Sequence, residues 1–159
     1  MGKKHICLDI GGTKVLGALL DEKDNIILKV KKKTKADKGL EKIEERIIDV
    51  VDEVIKESGI DRKEIAAIGA GAPGVINEET GEIIYAPNLP WNKYDIKKVM
   101  ENKFGIPFFI GNDANLGMLG EWKYGIAAKK ENVVGLFIGT GVGGGFIINN
   151  SSFPLQKVN

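Results

Sequence analysis

Residues 139–145 read Gly-Thr-Gly-Val-Gly-Gly-Gly, five glycines in seven positions. Apolar β-forming residues stand on both sides, Val133 to Ile138 before and Phe146 to Asn149 after. Glycine loses more backbone freedom on ordering than any other residue, so a helix through this stretch is disfavoured. The run formally satisfies Gly-x-Gly-x-x-Gly through Gly139, Gly141 and Gly144. A dinucleotide fingerprint must open a helix after a strand, however, and here Phe146-Ile147-Ile148 reads as a strand. The element expected is therefore strand, glycine turn over 139–145, strand. A plain hairpin needs fewer glycines than this. Close approach of the backbone to a phosphate chain accounts for the excess.

The remaining chain supplies the frame for that turn. Ile6, Leu8 and Ile10 alternate with Cys7 and Asp9, which predicts a strand over 4–10. Apolar runs at 14–21 and 26–33, separated by Gly11-Gly12 and Asp24-Asn25, predict two more strands in an antiparallel meander. Leu40, Ile43, Ile47, Val51 and Val54 recur at helical spacing and predict a helix over 39–58, ended by Gly59. Strands are expected at 65–70, 82–85 and 107–111, and helices at about 94–104 and over 112–124. Three strands followed by alternating strands and helices make an α/β chain, a mixed sheet flanked by helices.

Composition removes several classes of function. The chain has 159 residues, with 23 Lys+Arg against 22 Asp+Glu and a formal charge of +1. No net field draws it to nucleic acid or to an acidic membrane. The lysines of 29–38 form a local basic run without stacking aromatics, which reads as a guarded edge strand rather than a nucleic-acid surface. One Cys, Cys7, and one His, His5, exclude an internal disulfide and leave almost no basis for a zinc site. No apolar run approaches the roughly 20 residues that span a bilayer. Asp9 interrupts the first apolar stretch, which argues against a signal peptide. The cytoplasm is the compartment expected. A hydrophobic fraction of 43% supports one domain with a true core.

Two further places carry candidate chemistry. Asp9-Ile10-Gly11-Gly12-Thr13-Lys14 follows directly on a strand. Its glycines permit a turn whose amides face a phosphate, Thr13 adds a hydroxyl, Lys14 adds a charge, and Asp9 can hold Mg²⁺ through water. A plain hairpin is the alternative. It is not a Walker A loop, because that spacing is absent. Asn112-Asp113 stands where a strand turns through Gly111 into a helix. Asp113 is either a helix cap or a carboxylate placed at a strand's carboxyl end to take the proton of an attacking hydroxyl. Asn112 can orient that hydroxyl. Asn88 lies in a proline-bounded turn, and Trp91 is either a face for a sugar ring or part of the core.

Taken together, Asp9-Ile-Gly-Gly-Thr-Lys, Gly71-Ala-Pro-Gly, Asn88-Leu-Pro-Trp, Asn112-Asp-Ala-Asn and Gly139-Thr-Gly-Val-Gly-Gly-Gly resemble the ROK family. These are sugar kinases and sugar-responsive repressors of the actin/hexokinase-like ATPase superfamily. The segments come in the family's order over most of residues 4–149, and the resemblance is strongest to its glucokinases.

The resemblance implies two ribonuclease-H-like lobes with sugar and ATP in the cleft between them. Residues 1–131 would be the N-terminal, sugar-side lobe, and 132–159 the incomplete start of the second. Asp9, Gly11, Gly12, Thr13 and Lys14 would match the first phosphate motif, with Asp9 on Mg²⁺. Gly139, Thr140, Gly141 and Gly143 would match the second. Asp113 would be the catalytic base. Asn112, Gly71, Ala72, Pro73, Gly74 and Asn88 would hold the sugar. The implied reaction is phosphoryl transfer from Mg-ATP to the 6-hydroxyl of glucose or a related hexose.

Family kinases continue past the second glycine run with a Glu-x-Gly-His segment, a cysteine-rich zinc site and the adenosine pocket. The residues after Asn149 match none of these. The expectation is a truncated chain, inactive or weakly sugar-binding, that can self-associate through an exposed hairpin at 132–149. The alternative is the sugar-sensing module of a ROK repressor. Repressors carry a helix-turn-helix ahead of the first motif, and here that motif begins at Asp9.

Overall fold

The computed structural model describes residues 3–87, 89–138, 142–149 and 151–154. The chain falls into two compact units, Met1–Gly111 and Asn112–Asn159.

The first unit is built on a five-stranded sheet. Its strands are β1 (Lys4–Ile10), β2 (Lys14–Leu20), β3 (Ile26–Lys33), β4 (Ile65–Ala72) and β8 (Phe108–Asn112), in the order β3-β2-β1-β4-β8. β1, β2 and β3 form the expected antiparallel meander, and β4 runs parallel to β1. The sheet is thus mixed. The alternation in β1 does what the sequence demands: Ile6, Leu8 and Ile10 are buried while Cys7 and Asp9 are exposed.

Helix α1 (Leu40–Ser58) covers the buried face, chiefly over β2 and β3. Ile43, Ile47, Val50, Val51 and Val54 form its buried stripe. Each such side chain contributes about 1.5–3 kcal/mol on full burial. The helix comes close because Gly17 has no side chain. A Cβ there would stand 2.5 Å from Val50 Cγ1. Gly59 ends the helix at φ 66°, its amide bonded to the Ile55 carbonyl.

A small antiparallel sheet, β5 (Val75–Asn77), β6 (Glu82–Tyr85) and β7 (Asn92–Asp95), extends the same core. β5 and β7 were not expected, since Asn92-Lys-Tyr-Asp has no apolar alternation. β7 also shortens the helix expected from 94. Asp95 accepts from the Lys98 amide at 3.0 Å as an N-cap, so α2 runs over Ile96–Phe104. Trp91 is core, only 1% exposed, and stacks on Tyr94 at 5.8 Å between ring centroids. The Tyr94 hydroxyl donates to Glu44 of α1. Two short 3-10 turns, Ala36–Lys38 and Arg62–Glu64, flank α1.

The second unit contains α3 (Asp113–Tyr124) and a three-stranded sheet, β9 (Val133–Ile138), β10 (Val142–Ile148) and β11 (Ser151–Pro154), ordered β11-β10-β9. Here the glycine turn expected over 139–145 needs correction. Gly143, Gly144 and Gly145 belong to β10 and pair with Phe137, Leu136 and Gly135. Packing explains why glycines occupy a strand. A Cβ on Gly143 would lie 2.9 Å from the Ala114 methyl, and one on Gly135 2.2 Å from the Met118 sulfur. Gly117 receives the Phe137 ring in turn. The missing side chains let α3 lie close on the hairpin.

Candidate functional site

In the first unit, Asp9 is exposed and stands second to last in β1. Its neighbours across the sheet are Leu16 of β2 and Gly71 of β4. β1 and β4 are parallel, so both deliver their carboxyl ends to one edge, the place where open α/β sheets receive ligands. Asp9 and the 71–74 segment are therefore brought side by side.

The turn from Gly11 to Lys14 closes with the Gly11 amide donating to the Lys14 carbonyl at 2.9 Å. A Cβ on Gly11 would meet that carbonyl at 3.3 Å. Thr13 and Lys14 are exposed. Lys14 pairs across the sheet with Lys33, also exposed. Like charges placed opposite one another repel, and an anion beside them offsets that repulsion.

Sequence reasoning missed the residue that holds this turn. Thr34 is fully buried, the sole buried polar residue among those described. Its Oγ1 donates to the Gly11 carbonyl at 2.6 Å, and its amide donates to the Thr13 carbonyl at 3.0 Å. In sequence Thr34 is one hydroxyl in the run Lys31-Lys-Lys-Thr-Lys after an edge strand, and nothing local marks it as buried.

Gly71 and Ala72 end β4, and Pro73-Gly74 lead to β5. Ala72 is fully buried, which anchors the end of β4 in the core. Gly74 adopts φ +113°, and a Cβ there would lie 2.1 Å from the Tyr85 carbonyl oxygen. No other residue fits. The following turn is closed by Ala86 N–H to the Trp91 carbonyl at 3.2 Å. Asn88 lies outside the described residues, as do Gly139, Thr140 and Gly141.

In the second unit, the cap role that the sequence offered to Asp113 falls to Asn112. Asn112 is the N-cap of α3: its Oδ1 accepts from the Ala114 and Asn115 amides, both at 3.1 Å. Asp113 is the first helical residue and is exposed. One of its oxygens accepts from the Ala114 amide at 2.8 Å. A carboxylate is favoured at this positive end of the helix. Gly143 sits against the same first turn of α3 through Ala114.

Among the described residues no three His, Cys, Asp or Glu groups cluster as a metal site. A single exposed carboxylate such as Asp9 is compatible with Mg²⁺, which keeps most of its waters and takes one or two carboxylates. The Cys7 thiol, on the same sheet face as Asp9, is pushed above its ordinary value of 9.0, first by partial desolvation among its neighbours and then by the charge of Asp24. No helix among the described residues is long and apolar enough to cross a membrane.

Comparison with known proteins places the chain in a family. The ROK family profile matches residues 5–154. A glucokinase of Streptomyces coelicolor is 35% identical over 145 residues, which are 91% of this chain and 44% of that protein. A xylose repressor of Caldicellulosiruptor bescii is 36% identical over 113 residues, 71% of this chain and 28% of the repressor. The crystal structure of a ROK family glucokinase from Streptomyces griseus in complex with glucose and AMPPNP superposes with a TM-score of 0.81 at 31% identity. It covers 96% of this chain and 46% of that one. The fold is that of the ROK sugar kinases, the actin/hexokinase-like ATPase fold. The chain spans less than half the length of the glucokinase relatives it matches.

Proposed function

The chain belongs to the ROK family, and we propose that it forms the sugar-side lobe of an ATP-dependent hexose kinase. Residues 1–131 make that lobe, and 132–159 begin a second, phosphate-binding one. The observation that carries this reading is the pairing of Asp9 with Gly71 at the carboxyl ends of parallel β1 and β4. It sets the 11–14 turn beside the glycine-shaped 71–74 turn, which is what a phosphate site next to a sugar site would need.

In this proposal Gly71, Ala72, Pro73, Gly74, Asn88 and Asn112 hold glucose or a related hexose. Asp113 accepts the proton of the 6-hydroxyl, whose oxygen forms the bond to the γ-phosphorus of ATP as the bond from that phosphorus to the bridging oxygen breaks and ADP leaves. A positioned base of this kind adds roughly 10²–10⁴-fold to the rate. Gly11, Gly12, Thr13 and Lys14 take ATP phosphates, together with Gly139, Thr140, Gly141 and Gly143. The exposed Lys14–Lys33 pair suits such an anion. Phosphoryl transfer is achieved mostly by positioning and charge neutralisation. Part of that neutralisation is what Mg²⁺, held through water by Asp9, supplies when bound. The site of action is the cytoplasm.

The xylose repressor relative favours a second reading, in which the same lobe senses a sugar without phosphorylating it. Calorimetric titration with glucose and with xylose separates the two. The kinase reading expects glucose to bind, at millimolar affinity or better, and xylose more weakly. A preference for xylose would favour the sensor. Failure to bind either sugar would mean that this lobe alone does not form the sugar site.

A further inference from the structure

Thr34 lies outside every motif that carries the family resemblance, yet it touches the first of them twice. Its hydroxyl donates to the Gly11 carbonyl at 2.6 Å and its amide to the Thr13 carbonyl at 3.0 Å. A trans peptide unit is planar, with its C=O and N–H pointing in opposite directions. The described chain has no cis peptide bonds. Fixing the Gly11 carbonyl therefore fixes the Gly12 N–H, and fixing the Thr13 carbonyl fixes the Lys14 N–H. Both donors are turned away from Thr34.

We infer that Thr34 is a positioning residue that presets the Gly12 and Lys14 amides of the 11–14 turn for an anionic phosphate group. The inference rests on the reading of that turn as a phosphate site. Two of the turn's three peptide planes are held from one side by one buried residue, before any ligand arrives. Preset donors cost no reorganisation when charge binds, which is where a positioned amide gains over a mobile one. The hydroxyl cannot be replaced by a methyl without consequence. Valine has the same shape, but it leaves the Gly11 carbonyl with no donor in a buried place.

Thr34→Val and Thr34→Ser in the 159-residue chain test this, with two readouts. Amide hydrogen exchange reports the turn itself. Mg-ATP and glucose titrations report its use. Thr34→Val is expected to speed exchange of the turn's amides by about tenfold or more, with Ile6, Leu8 and Ile68 unchanged. It is expected to weaken Mg-ATP by about tenfold while glucose affinity stays within a factor of two. Thr34→Ser keeps the hydroxyl and should restore both, and it covers the case in which the valine variant folds poorly. If Thr34→Val leaves Mg-ATP affinity and turn exchange as they were, the inference is wrong and the phosphate reading survives. If the unaltered chain binds glucose but its turn does not respond to Mg-ATP, both the phosphate reading and this inference fall.

Discussion

The carbonyl oxygen of Tyr85 lies 2.1 Å from where a Cβ on Gly74 would stand, and Gly74 itself sits at φ +113°. Strain of this backbone kind costs about 1–3 kcal/mol before any clash is counted. Gly74→Ala should therefore lower stability by at least that amount and shift the 71–74 turn, weakening glucose. Urea unfolding and a sugar titration check this, and a variant as stable as the parent would mean the turn is not held as described. Gly71-Ala-Pro-Gly was legible in sequence because a Pro-Gly pair after a β run marks a turn. Thr34 was not, because a single hydroxyl in a lysine run looks like surface. Only the fold reveals that β3 ends beside Gly11. Trp91 was ambiguous for a different reason. An indole is both a large apolar group and a face for a sugar, and burial alone decides between them.

Among the elements, the start of α3 carries an observed helix cap and, in the proposal, a sugar ligand on the same residue. Asn112 Oδ1 accepts two amides of the first turn, so Asn112→Ala should cost about 1 kcal/mol in stability, as loss of a cap does. Asn112→Asp keeps a capping oxygen but loses the amide. It should hold the unfolding midpoint near that of the parent while sugar binding falls. Equal sugar binding in the aspartate variant would remove Asn112 from the sugar site. Most elements were readable: alternation gave β1, and the stripe Ile43, Ile47, Val51 and Val54 gave α1. The ends of β10 were not. Glycines suggest a turn to any local reading, whereas here Gly143 and Gly135 are strand residues emptied to admit Ala114 and Met118 of α3. That is tertiary information. Asn92–Asp95 forms β7 for a similar reason, through pairing with β6 rather than through its own pattern.

At the scale of the molecule, the outer face of β9 carries Val134, Leu136 and Ile138 at 64%, 64% and 81% exposure. An apolar row that open favours association. We propose that the hairpin at 132–149 is where copies of the chain meet. Sedimentation should show self-association that grows with concentration and is reduced by Leu136→Lys with Ile138→Lys. A parent chain that stays monomeric at high concentration would contradict this. The proposal to be tested first is that the two turns at the carboxyl ends of parallel β1 and β4 receive a phosphate and a sugar. Its most direct test is a map of backbone amide shifts during glucose titration. The account predicts saturable shifts concentrated at 71–74 and at Asn112 and Asp113, with the amides of α1 unmoved. Saturable shifts located elsewhere, or none at all, would contradict it.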